Sequence, residues 1–341
     1  MSDLSGGAMA LSFDGTVLLI ADDSDLLAYD EATDGPAWLV AHKRPVVAIC
    51  ATEREFVVLD ADGTVLGVDP TSGEVVWTMP SLSTGHALAV APSGLWAALV
   101  GADITVGQRD EVLQILPLDT EHTGALAYAG EVLAVALVGG VVRLFPADGG
   151  PVDKRLPFDV SAMASASHGA LGACGHHVVL INEESAKALI TFDDTDQITG
   201  VATSVQGRMF AARVGDGHLA IMNQSGSSQL AHANFVDRVP GDVCFNRAGD
   251  VWVAMGQGHA CGLGLSDGGV RRTDEHRGRP RGSWMVNVSI DDAADDPAMA
   301  EEAEDDQMDN MPLWARIGLS VFAVVVVLGG CLGLNMLLNM V

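Results

Sequence analysis

The sequence predicts an all-β fold, a seven-bladed β-propeller of four-stranded antiparallel blades that occupies residues 1–290. Short apolar strands followed by a turn recur about every 39 residues, near the spacing of four-stranded blades. Each repeat divides into short strands separated by Asp-Gly, Ser-Gly or Asn-containing turns, which is typical of antiparallel hairpins. Helix signals are nearly absent before Asp291. The recurring strands lie near Met9, Val47, Leu88, Leu126, Met163, Val201 and Val243.

The same order of strands is found in each repeat, so one domain accounts for this part of the chain. The first repeat supplies "ALSF", "TVLLIA", "LLAYD" and "AWLVA", each apolar and each followed by a turn. A sandwich or a barrel would not require similar units at a fixed period. The predicted blades lie near residues 8–45, 46–85, 86–123, 124–160, 161–198, 199–240 and 241–290.

A further strand is predicted after the last repeat. Ser283–Ile290 alternates in polarity and has high β propensity. We expect it to pair with a blade edge and to help close the ring, because an open edge strand promotes aggregation. The alternative is that this strand binds a partner.

Composition restricts the class of partner. The chain has 45 acidic and 18 basic residues, for a formal net charge of −27. Such a field repels nucleic acid and anionic lipid headgroups. It is typical of a solvated acidic surface, and a cationic partner is the alternative. The five cysteines are scattered without a CxxC motif, which predicts reduced thiols and not a disulfide framework.

The C-terminal part predicts a membrane anchor. No residue from Ile317 to Val341 is charged, and about 20 apolar residues suffice to cross a bilayer. We expect a transmembrane helix over 313–341, preceded by an acidic flexible linker over 291–312. Trp314 and Arg316 would lie at the membrane interface.

Several features of the two ends predict a tail-anchored protein with its propeller in the cytoplasm. The N-terminal residues lack the basic and apolar regions of a signal peptide. A flanking Arg and an interfacial Trp favour the cytoplasmic side of the span. Gly329 and Gly333 have GxxxG spacing, which is compatible with self-association of the predicted helix.

One repeat points to a known family. The stretch "LDADGTVLGVDPTSGEVVWTMP" from Leu59 to Pro80 contains an Asp-Gly turn, a Thr-Ser-Gly turn and a strand with Trp77. It resembles the repeat of the quinoprotein dehydrogenases, and the chain as a whole resembles the quinoprotein-like and WD40-like propeller superfamilies. The Trp-Asp pair of typical WD40 blades is missing. We expect Trp77 to pack between blades.

The resemblance to quinoprotein dehydrogenases implies pyrroloquinoline quinone and Ca²⁺ as cofactors, with a catalytic Asp and a pair of vicinal cysteines. The strands expected to line the channel here carry Ala, Ser, Val, Met and Cys, and the vicinal cysteines are absent. We therefore predict no cofactor, no catalytic residues and no enzymatic activity.

Histidines and cysteines suggest metal ligands at two places, and neither carries a predicted site. Cys174 and His176, beside His177, would share a face if this segment were a strand, but two ligands make only half of a zinc site. His259 and Cys261 repeat the pattern within "GQGHACGLG", where the glycines indicate a bend between strands. We expect turn or surface histidines at both places and no metal.

A cluster of arginines is the candidate partner-docking surface. The simpler interpretation is local neutralisation by the acidic residues of Asp291–Asp309. The functional alternative is docking of an acidic partner, or of anionic headgroups beside the membrane. The cluster consists of Arg271, Arg272, Arg277, Arg279 and Arg281.

These observations predict a membrane-tethered, non-enzymatic scaffold for protein–protein interactions, as a subunit of a larger membrane-associated assembly. The alternative is a small-ligand or metal sensor, or an enzyme, that uses the central channel. A third hypothesis, an assembly factor that resembles the propeller lipoprotein of outer-membrane protein insertion, is disfavoured because no signal peptide or lipobox cysteine is present.

Overall fold

The computed structural model describes residues 8–287 with internal gaps. The linker 291–312 and the predicted span 313–341 therefore lie outside the described residues. In the part of the chain that is described, no helix is long and apolar enough to cross a membrane. The gaps are at residues 31–35, 82, 167, 194–195, 205–208, 216, 224–228, 236–240, 246–250, 257–258, 267–268 and 277–285.

The described residues form strands and turns without a helix, so the all-β prediction is confirmed. In the first three sheets the strands are β1 (Met9–Leu11), β2 (Val17–Asp22), β3 (Asp25–Asp30), β4 (Pro36–Ala41), β5 (Val46–Ala51), β6 (Phe56–Asp60), β7 (Val65–Val68), β8 (Val75–Met79), β9 (Gly85–Val90), β10 (Trp96–Val100), β11 (Asp103–Gln108) and β12 (Glu111–Pro117). The next strands are β13 (His122–Ala129), β14 (Val132–Leu137), β15 (Val141–Phe145), β16 (Val152–Arg155), β17 (Val160–Ala166), β18 (Gly169–Cys174), β19 (His177–Ile181) and β20 (Ala186–Thr191). The last are β21 (Ile198–Thr203), β22 (Met209–Val214), β23 (His218–Asn223), β24 (Gln229–Phe235), β25 (Val243–Phe245), β26 (Val251–Gly256), β27 (His259–Ser266), β28 (Gly269–His276) and β29 (Val286–Asn287).

The strands assemble into the four-stranded antiparallel blades of a propeller. Within each blade the strands follow one another in chain order, and each pairs antiparallel with the next. Five blades are separate sheets, made of β1–β4, β5–β8, β9–β12, β21–β24 and β25–β28.

The prediction of seven separate blades is corrected by a sheet of eight strands. This sheet runs β16-β15-β14-β13-β17-β18-β19-β20 and replaces the two blades predicted near 124–160 and 161–198. Ala129 and Ala166 pair in parallel, and the Gly130 amide donates to the Ala166 carbonyl at 3.1 Å. The small side chains at these positions let the two backbones come within hydrogen-bonding distance.

The hairpin turns of Leu59–Pro80 form as predicted. Gly63 has a positive φ of 76° in the turn between β6 and β7. Between β7 and β8, Asp69 Oδ1 accepts hydrogen bonds from the amides of Thr71 and Ser72. Asp turns of this kind are local, so the sequence specifies them well.

The core consists of apolar clusters between neighbouring groups of strands. Trp77 lies in one of them with Trp96 of the next blade, and the two rings stack with centroids 6.2 Å apart, which confirms that Trp77 packs between blades. Another cluster joins Met9 and Leu18 of the first blade to Trp252 of the last, and this packing closes the ring.

Within the predicted strand Ser283–Ile290, the described residues Val286–Asn287 form β29. It pairs antiparallel with β24 through Asn234↔Asn287 and Phe235↔Val286, so the pairing with a blade edge is confirmed. It adds a fifth strand to the outer side of this sheet. The packing between β25–β27 and β1–β3, and not this strand, closes the ring.

Candidate functional site in the central channel

The first strand of each group of four lines a central channel. At one end, where these inner strands begin, the channel has a cavity of about 300 Å³ lined by residues such as Gly124 and Gly200. At the other end a cavity of about 330 Å³ is lined by residues such as Ala51 and Thr203. Most lining side chains are small or apolar, as the sequence predicts.

Three polar side chains in the first cavity, those of His86, Arg213 and Asp242, were not expected from the sequence. Arg213 belongs to the second strand of its blade, where it pairs with Gly200 on the inner strand. A Cβ at Gly200 would overlap the Arg213 guanidinium, so the absence of a side chain there gives Arg213 its path into the channel. One sequence signal could have revealed that Arg213 reaches the channel. This signal is a glycine on the inner strand at the position that pairs with the arginine.

Arg213 and Asp242 connect three neighbouring blades. Arg213 donates to the Gly241 carbonyl at 2.9 Å and to the Thr199 carbonyl at 2.8 Å. Asp242 Oδ2 accepts from the Met9 amide at 3.3 Å, which ties the last blade to the first.

The surroundings of Arg213 and Asp242 disfavour the charged forms of both side chains. Asp242 is exposed to the channel, but protein surrounds the channel on all sides. This burial raises the pKa of Asp242, against the opposing influence of Arg213 and the Met9 amide. Burial likewise lowers the pKa of Arg213, and the charge of Asp242 opposes that shift. For both side chains, burial outweighs the favourable influence of the opposite charge, so this part of the channel disfavours their charged forms.

Two cysteines of the channel are unreactive thiols. Burial, assisted by the negative charge of Asp242, raises the pKa of both Cys50 and Cys244 to about 12. Since the thiolate is the nucleophile, neither side chain is activated for catalysis at neutral pH. Cys50, Cys174 and Cys244 are free thiols, in agreement with the prediction of reduced cysteines.

A pair of histidines lies where the inner strands β9 and β13 begin. The rings of His86 and His122 have centroids 5.0 Å apart and planes inclined by 61°. His86 is exposed to the channel, and His122 Nε2 lies 2.9 Å from the Gly101 carbonyl oxygen. Burial, and secondarily the neighbouring His122, lowers the pKa of His86 below the ordinary 6.5, which favours its neutral ring.

A buried carboxylate organises the junction of the first two blades. Asp60 is fully buried, and its Oδ1 accepts from the amides of Asp62 and Thr64 at 3.0 and 2.8 Å. Its Oδ2 lies 3.1 Å from His42 Nε2 and 3.5 Å from an Arg44 nitrogen. These contacts hold the loop before β5 against the turn after β6, which is a structural role.

The predicted site residues are only partly described. Arg271 and Arg272 lie on β28, the outer strand of its sheet, opposite Gly264 and Leu263 of β27. The other three arginines of the cluster and both predicted membrane-interface residues lie outside the described residues, and these are Arg277, Arg279, Arg281, Trp314 and Arg316.

The structure places the two histidine–cysteine motifs differently, one at a turn and one in a strand. β18 ends at Cys174 and β19 begins at His177, so Cys174 and His176 do not lie on one strand. His259 and Cys261 instead lie within β27, which pairs antiparallel with β26, so they are strand residues and not part of the expected bend. Within the described residues, no group of three or more His, Cys, Asp or Glu side chains is placed to hold a metal ion.

An apolar edge strand stands out on the outer surface. Val112, Leu113 and Ile115 of β12 are 38%, 51% and 59% exposed. β12 is the last strand of its sheet, and in the described part of the chain no strand pairs with its outer edge. An exposed apolar edge strand of this kind is a ready template for pairing with a strand of another chain.

Comparisons with known proteins agree with this architecture. A PQQ-repeat family model described as outer membrane protein assembly factor BamB matches residues 2–155, which confirms the resemblance to quinoprotein-like repeats. A search of curated proteins finds no match.

Solved structures with a similar fold are WD40-like propellers at low sequence identity. A chain of the mitotic checkpoint complex is 16% identical with a TM-score of 0.62, over 75% of this chain and 88% of that chain. Kluyveromyces lactis Hsv2 is 10% identical with a TM-score of 0.60, over 80% and 98% of the two chains. The propeller domain of Myceliophteria thermophila Cps50 (Swd1) is 14% identical with a TM-score of 0.62, over 78% and 95%. The chain is thus similar to PQQ-repeat and WD40-like propellers, and at these identities the likeness shows the fold.

Proposed function

We propose that this protein is a non-enzymatic propeller scaffold that binds other proteins and is tethered to a membrane by residues 313–341. Similarity to a propeller chain of the mitotic checkpoint complex, a protein assembly by its name, supports an interaction role. The unreactive thiols of Cys50 and Cys244 and the small apolar lining of the channel favour a scaffold over an enzyme.

The outer strand β12 carries this proposal. Its exposed apolar side chains and unpaired edge suit an extended segment of a partner, which would add a strand to the sheet. Main-chain hydrogen bonds would supply affinity, and contacts with Leu113 and Ile115 would supply specificity. Because the chain has a net charge of −27, a basic segment is favoured electrostatically.

Co-purification of the full chain from detergent-solubilised membranes tests the docking surface. Leu113→Glu combined with Ile115→Lys should abolish recovery of the partner, because charges would be placed at the centre of the contact. The matched control is Val75→Glu with Val76→Lys on β8, where both side chains are 46% exposed at the outside of another blade. Loss with the β8 variant alone, or no reproducible partner for the unaltered chain, would overturn the proposal.

A deletion tests the proposal that residues 313–341 anchor the protein in a membrane. Deletion of residues 313–341 should move the protein from the membrane fraction to the soluble fraction, since those residues supply the apolar span. Retention in the membrane fraction would show that another part of the chain binds the bilayer.

A second candidate function is assembly of membrane proteins, favoured by the family match over residues 2–155. Both candidates predict protein partners, and their identity separates them. Recovery of partners that insert membrane proteins would favour the assembly role. A bound chromophore with a quinone absorption spectrum in the purified full chain would instead support an enzyme.

A further inference from the structure

We propose that His86 and His122 form a binding site for a divalent first-row transition-metal ion of the zinc class, with open coordination positions that face the central channel. The site is independent of the scaffold function. It rests on the tautomer of one ring, the spacing of the two rings and their position at the channel.

The tautomer of His122 follows from its hydrogen bond. Its Nε2 lies 2.9 Å from the Gly101 carbonyl oxygen, which can only accept, so Nε2 carries the proton and donates. In this tautomer Nδ1 carries a lone pair. Nδ1 is buried and contacts no hydrogen-bonding partner within the described residues. Such an atom is costly to bury, and a metal ion would satisfy it.

The Gly101 hydrogen bond is also the support that a ligating histidine usually has. In metal sites the second ring nitrogen commonly donates to a carbonyl or a carboxylate, which fixes the ring and its tautomer. His122 has this arrangement before any ion binds. It is therefore the preorganised ligand of the pair.

His86 supplies the second ligand at a suitable spacing. With metal–nitrogen bonds of about 2.0–2.1 Å and near-tetrahedral angles, two imidazoles on one ion have ring centroids about 5 Å apart. The centroids of His86 and His122 are 5.0 Å apart. Because His86 is exposed, its ring can rotate to direct a nitrogen at the ion.

The surroundings leave the coordination of the ion open. His86 borders the cavity of about 300 Å³, which has room for water ligands. No third His, Cys, Asp or Glu side chain joins the two rings in the described part of the chain. Water or a group from a bound molecule would therefore complete the coordination of the ion. The net charge of −27 attracts cations to the protein.

Isothermal titration of the full chain in detergent with Zn²⁺ tests the site. We expect saturable binding of one ion that is lost in His86→Ala and in His122→Ala. The control variant is His176→Ala with His177→Ala, which removes another close histidine pair, with centroids 4.0 Å apart. Binding should persist in this control.

Electron paramagnetic resonance with Cu²⁺ provides a second readout. The unaltered chain should show coupling to two imidazole nitrogens, and His86→Ala should lose this two-nitrogen signal. The exposed position of His86 makes its variant a sound test if His122→Ala does not fold. Absence of saturable Zn²⁺ binding, equal binding by His86→Ala, or loss in the His176/His177 control would overturn the proposal.

Discussion

Gly200 and Arg213 face each other across β21 and β22, and the missing side chain of the glycine is the space that the arginine occupies. The guanidinium lies closest to the point where a Cβ would be, and it donates from there to the carbonyls of Thr199 and Gly241. A cation thus reaches the channel from the second strand of a blade. The arrangement links the last two blades of the ring.

Gly200→Ala should destabilise the propeller by about 1–3 kcal/mol, the usual cost of overpacking. The new methyl group would force Arg213 off its two carbonyl acceptors. Thermal unfolding followed by tryptophan fluorescence measures the change. The Arg213→Ala background provides the control, because there the same methyl group meets no guanidinium and should cost much less. Equal costs in both backgrounds would contradict the steric explanation.

Asp242→Asn should make the propeller more stable at neutral pH. The pKa of Asp242 in the folded protein lies above the ordinary 3.8, so the folded state favours the protonated carboxyl. The stability that this group contributes is present below pH 3.8 and is lost as pH rises through the raised pKa. Unfolding measured against pH should therefore show an advantage of the variant that grows over this interval and then levels off.

Asp69→Asn is the control, because the stability contributed by Asp69 should depend on pH in the opposite direction to that of Asp242. Hydrogen bonds, first from the Ser72 amide, lower the pKa of Asp69. The stability that Asp69 contributes is present above pH 3.8, the ordinary pKa, and is lost as the pH falls through the lowered pKa. Acid should therefore narrow the difference between this variant and the unaltered protein. An advantage of Asp242→Asn that did not depend on pH would contradict its assigned cause.

Trp96→Phe should cost more stability than Trp77→Phe. Both rings are buried and stack on each other, but Trp96 Nε1 donates to the Arg109 carbonyl at 2.9 Å. Trp77 Nε1 has no hydrogen-bonding partner among the described residues. The difference should be about 0.5–1.5 kcal/mol, the net value of one hydrogen bond. Parallel thermal unfolding of the two variants measures it, and equal losses would contradict the assignment.

Asp60→Ala should destabilise the junction of the first two blades by about 3 kcal/mol or more, because a charged acceptor of several hydrogen bonds is removed from a buried position. Arg44→Ala is the matched control. The Arg44 side chain is 49% exposed, so its removal should cost less than about 1 kcal/mol. Chemical denaturation of both variants tests the ranking. A larger loss for Arg44→Ala would show that the ion pair, and not the turn around Asp60, stabilises this junction.

The strands and turns of the repeats were predictable because they depend on residues close together in the chain. The Asp69 turn, the Gly63 turn and the strands of the first repeat all form as expected. Apolar alternation and turn residues act within a few positions, so their consequences are visible in one sequence. The placement of Trp77 between blades followed from the same repeat.

The tertiary structure decided how the repeats meet and which polar groups meet in the channel. The eight-stranded sheet depends on the approach of Ala129 and Ala166, which the repeat period does not encode. The pair His86 and His122 depends on the alignment of neighbouring blades. By itself the sequence determined the all-β repeat and its hairpins, because these follow from local hydrogen bonding. Contacts between blades depend on the packing of side chains distant in the chain, and only the assembled ring brings those together.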